Sequence, residues 1–81
     1  MAVVCHTGSD LPFSLPSLLM MPARRYPELT IIVAHCGGGI FVHDAMLAAV
    51  FCPNIVLELS SLMPNSVLEV LAYVPADRLM I

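Results

Sequence analysis

The chain reads as an α/β fold of parallel β/α units, and three features of its 81 residues predict that class. Four short runs of apolar β-formers are continuous rather than alternating, the pattern of strands in a parallel sheet covered on both faces. Segments of helix length separate them. The last three runs also recur at a fixed spacing, with Val33, Leu57 and Ile81 each 24 residues apart, as expected of a right-handed β/α array.

The first predicted strand is Ala2 to Cys5. A polar, proline-containing loop, Thr7 to Leu15, follows it on the side where β/α folds bind ligands. Pro16 to Tyr26 is the first predicted helix, which Pro22 should kink or shorten. Thr30 to Ala34 is the second strand, and Ile40 to Phe51, rich in Ala, Met and Leu, the second helix. Ile55 to Leu59 is the third strand. Pro64 to Tyr73 is the third helix, with Pro64 suited to its first turn. Arg78 to Ile81 is the fourth strand, and the missing helix after it leads us to read residues 1–81 as one partial domain, a fragment.

Composition narrows the function classes. Hydrophobic residues make up 59% of the chain and charged residues 11%, against about 45–50% and 25% in ordinary soluble domains. A chain this short buries only about 60–65% of its unfolded surface, so part of this apolar material should face a second copy or the remainder of a larger domain. No uncharged run reaches the roughly 20 residues of a spanning helix. No signal peptide is evident either, so a cytoplasmic protein is expected. A net charge of −3 with three basic residues provides no footprint for nucleic acid. Cys5, Cys36 and Cys52 lack the spacing of a disulfide framework or a zinc knuckle and read as reduced thiols.

Candidate chemistry gathers at strand ends. His6 closes the first strand and His35 follows the second, so parallel pairing projects both from one rim. They are either two metal ligands, or a ligand and a proton carrier. The alternative is two strand-end histidines satisfied by backbone; their matching positions favour the functional reading. In Ala34-His35-Cys36-Gly37-Gly38-Gly39 the glycines permit positive φ and bring bare N–H groups to a helix start. Gly37 and Gly38 would there receive a substrate carboxylate or phosphate, or simply let the strand turn.

Asp10 is either a substrate contact or a solvated loop residue. Glu58 interrupts an apolar strand and points either into a lumen near the site or into a polar layer. Ser60 and Ser61 either line the pocket or cap the helix at Pro64. His43, beside Asp44, reads as a surface or helix-packing residue and the methionines as helix packing. A Cys36–His35 dyad is geometrically poor for strand neighbours.

The segments VVCHTGSD, ARRYPELTIIVAHCGGG, NIVLELSS and ADRLMI together resemble the amidohydrolase-related family, amidohydrolase family 2, over essentially the whole chain. The resemblance implies a metal-dependent (β/α)8 TIM-type barrel, of which residues 1–81 would be about half, strands five to eight. It implies hydrolysis through a metal-activated water, with non-oxidative decarboxylation of a small-molecule substrate as the close alternative. A catalytically inert, self-associating β/α fragment is the rival of another class.

On the same resemblance His6 is a metal ligand, zinc being the foremost divalent candidate. His35 stands beside the metal's water as the catalytic acid or base. The family's His-x-His pair would precede Met1 and its last ligand, an aspartate, would follow Ile81. The 81-residue chain alone is therefore expected to be inactive, because three protein ligands normally hold a catalytic zinc.

Overall fold

The computed structural model describes residues 1–8 and 15–81. Its strands are β1 (Ala2–His6), β2 (Thr30–Ala34), β3 (Ile55–Glu58) and β4 (Leu79–Met80), and its α-helices are α1 (Met20–Arg25), α2 (Val42–Phe51) and α3 (Pro64–Tyr73). The strands form one parallel sheet in the order β1-β2-β3-β4. An α/β architecture of parallel units is thus observed, with each strand beside its sequence neighbour.

Residue parity decides which way the sheet faces. Ile31, Val33, Ile55 and Leu57 are buried, and they join Ala23 of α1, the buried stripe Val42, Ala45, Met46, Ala48 and Ala49 of α2, and Val70 of α3 in one core. All three helices therefore lie on the same side. The alternate positions Ile32, Val56 and Glu58 are only half-buried, while Val4 is 57% and Met80 41% exposed. The expectation of strands covered on both faces is corrected here: the continuous apolar runs are real, but among the described residues no helix lies over their second face.

Several boundaries differ from the sequence reading by a residue or more, and three of them have a local reason. Pro16–Tyr26 is a 3-10 turn (Pro16–Leu19) running into α1. Pro22 sits third in that helix, where a missing N–H is harmless, so the break comes before the proline. The second helix starts at Val42, not Ile40, because the glycine turn ahead of it holds Phe41, whose N–H donates to Gly37 O at 3.1 Å. Arg78 closes a 3-10 turn, Ala76–Arg78, and β4 begins after it. Among the described residues no helix is long and apolar enough to cross a membrane.

Candidate functional site at the strand ends

Parallel register brings the site together. His6 pairs with Ala34, so His35, one residue further on, arrives beside the His6 ring. His6 Nδ1 and His35 Nε2 face each other at 3.2 Å, the rings tilted by 33° with centroids 5.3 Å apart. The third strand contributes next. Glu58, at the end of β3, accepts the His35 backbone N–H at 3.0 Å, the Ser60 N–H at 2.8 Å and the Ser60 hydroxyl at 2.7 Å. Ser60 Oγ in turn lies 3.1 Å from His35 Nδ1. Glu58 thus lies beside His35 and Ser60 at the strand ends.

The backbone beneath His35 is unusual. Residues 35 to 39 all have positive φ: His35 68°, Cys36 44°, Gly37 81°, Gly38 65° and Gly39 85°. Left-handed geometry costs a non-glycine residue about 1–2 kcal/mol, and His35 and Cys36 both adopt it. Two anchors hold the turn: the Glu58 bond to the His35 N–H, and Thr7. Buried Thr7 donates its hydroxyl to Ala34 O at 2.9 Å and accepts the Gly37 N–H at 2.8 Å, while its own N–H donates to Ala34 O at 3.2 Å. Gly37 therefore spends its amide on Thr7 and is buried, which suits a turn residue better than a substrate contact. Gly38 is exposed at the rim. Asp10 lies outside the described residues.

Electrostatics separate the two neighbours of the turn. Burial opposes charge on Glu58, but the hydrogen bonds from His35 and Ser60 outweigh it and hold the carboxyl below its ordinary value. Burial first, and the nearby Glu58 charge second, push the Cys36 thiol up to about 12. Fully buried in the core, Cys36 is a packing group and not a nucleophile. It gets there through the left-handed turn and not through strand alternation, since β2 stops at Ala34.

A metal-ligating histidine gives its other ring nitrogen to a hydrogen-bond partner. His6 meets that condition: Nδ1 is engaged by His35, and Nε2 has no partner among the described residues. The pair fits one ligand and its supporting group. Among the described residues no cluster of three or more His, Cys, Asp or Glu converges, so a full coordination set is not found among them. His43 lies elsewhere, its Nε2 against a Glu69 carboxylate oxygen between α2 and α3, in keeping with a surface or helix-packing role. A groove of about 550 Å3 lies beside that pair, lined by Met46, Leu47, Val50 and Tyr73, but it is apolar and carries none of the strand-end chemistry.

Sequence reasoning missed Thr7, and it left Glu58 and Ser60 open. The available signal was a hydroxyl next to a strand-end histidine and a carboxylate two residues before a serine. Comparison of the chain with family models, with curated proteins and with solved structures finds no match.

Proposed function

We propose that the chain is part of a (β/α)8 barrel and carries the acid–base half of a metal-dependent hydrolase site. The observation that supports this best is the contact between His6 and His35 at the C-terminal ends of adjacent parallel strands, the rim where barrels place their chemistry. Sequential strand order with every helix on one side supports the barrel, since doubly wound sheets reverse their order and cover both faces.

His6 would hold a divalent metal, zinc first among the candidates, through Nε2, with further ligands from outside the described residues. When bound, such an ion supplies Lewis acidity toward a water and a substrate carbonyl. His35 does the proton work. Its Nδ1 is anchored on Ser60, whose hydroxyl Glu58 accepts, and its Nε2 faces His6 Nδ1; to act as general base and then general acid, Nε2 would exchange that contact for the substrate's proton. Glu58 holds the His35 backbone, which keeps the ring over the strand end. The substrate is a small molecule with a hydrolysable C–N or ester-like C–O bond.

The test is zinc uptake by the 81-residue chain and two variants, read on self-associated species, where a second copy can complete the coordination. We expect His6→Ala to abolish zinc binding. His35→Ala should keep the zinc, and in any species whose completed site hydrolyses esters it should lower that rate by about 10²–10⁴-fold, the usual size of a general acid–base contribution. Zinc binding that persists in His6→Ala would remove His6 as a ligand.

A further inference from the structure

The contacts around His35 have a direction, and it follows from counting hydrogens. Glu58, held in its charged form by three hydrogen bonds, is an acceptor only. A serine hydroxyl has one hydrogen, and the 2.7 Å contact commits that of Ser60 to Glu58. Toward His35 Nδ1, at 3.1 Å, Ser60 Oγ can then only accept, so Nδ1 carries the His35 proton. A neutral imidazole carries one proton, which leaves His35 Nε2 as an acceptor. Across 3.2 Å it receives the proton that His6 holds on its own Nδ1. Donation runs one way, from His6 to His35 to Ser60 to Glu58, and it ends on a negative charge.

We propose that Ser60 and Glu58 are positioning residues that fix both histidines in the Nδ1–H form and thereby present His6 Nε2 as a bare, basic nitrogen at the strand ends. Neither residue touches a reacting group; both act through His35. The arrangement opposes the intrinsic preference of free histidine, whose neutral ring favours the proton on Nε2, so the observed contacts must supply the bias. Lengthening a donor chain that ends on a carboxylate also strengthens each link, which makes His6 Nε2 a better donor of its lone pair to a cation or an acidic proton. The inference rests on ring geometry and holds with no metal present, so it stands apart from the hydrolase reading.

Ring protonation is read directly from long-range 1H–15N correlations of the imidazole nitrogens, recorded on the metal-free 81-residue chain at about pH 8, above the ordinary imidazole range near 6.5. We expect His6 and His35 both to show unprotonated Nε2 and protonated Nδ1. Ser60→Ala should return His35 to a majority of Nε2–H. His6 should follow, because two ring N–H groups cannot face each other at this distance. Ser60→Thr, which keeps the hydroxyl, should restore the original pattern.

A majority of Nε2–H on either ring of the unaltered chain overturns the proposal. So do tautomers unchanged by Ser60→Ala. Because the spectrum of the unaltered chain decides the first point by itself, a poorly folded variant does not shelter the idea. Zinc binding that persists in His6→Ala, with the tautomers as expected, would sink the hydrolase reading and leave this one standing.

Discussion

Gly37 occupies a space that a single methyl group would overfill. An added Cβ would lie 3.0 Å from Phe41 Cβ and 3.0 Å from the Val42 nitrogen, on a backbone at φ +81°. Both the close approach and the dihedral count against any side chain, and Gly37→Ala should cost about 1–3 kcal/mol. The expected signature is a lower urea midpoint with an unchanged slope. Gly39 differs: its φ is +85° with ψ −48°, and nothing lies within 4 Å of an added Cβ, so Gly39→Ala should carry a dihedral cost alone, about 1–3 kcal/mol. No measurable loss at Gly37 would refute the packing argument. The triple glycine was legible in the sequence as a turn, and the two histidines as strand-end residues, because apolar runs mark where strands stop. Thr7 was not legible: its role exists only once His35 to Gly39 turn left-handed and the Gly37 amide needs an acceptor.

At the level of elements, two polar side chains fasten the β/α units to one another. Arg78, after α3, reaches back to the carbonyls of Ala49 and Cys52 at the end of α2 and of Ile55 at the start of β3, at 2.5 to 2.8 Å. Those carbonyls include ones that a helix end leaves without partners, where a cation is also favoured by the dipole. Asn54 does the same one unit earlier, donating to the carbonyls of Ala23, Tyr26 and Leu29. We expect Arg78→Ala to lower stability by about 2–3 kcal/mol, within the range for charged hydrogen bonds to buried acceptors. Arg78→Lys should recover little of it, since one ammonium cannot match the planar fork; full recovery by lysine in thermal melts would contradict this account. The strands and helices were legible from apolar runs and spacing, because those patterns express burial directly. The clamps were not, since a lone Arg or Asn between elements carries no periodic signal and its acceptors lie 23 to 31 residues away.

Taken as a whole, the molecule keeps much of its apolar surface in view. On the outer layer Leu47, Val50, Phe51, Leu68 and Tyr73 are 55% to 69% exposed, and the uncovered sheet face adds Val4 at 57%. Isolated monomers rarely show so much contiguous apolar area, as the composition already suggested. Sedimentation velocity at micromolar concentration should therefore find species larger than one chain. Val4→Lys with Val56→Lys, on the open sheet face, should shift the distribution toward the monomer; a monodisperse monomer of the unaltered chain would remove the argument. The strand order has a consequence for the timing of assembly. Because each unit pairs only with the one before it, the sheet can grow by accretion as the chain is synthesised, like the successive repeats of a solenoid. Two docked units suffice to bring His6 and His35 together. Glu58 and Ser60, which tell those rings where to keep their protons, join only with the third, so a nascent chain acquires its pair of bases before it acquires the polarity that makes them a site.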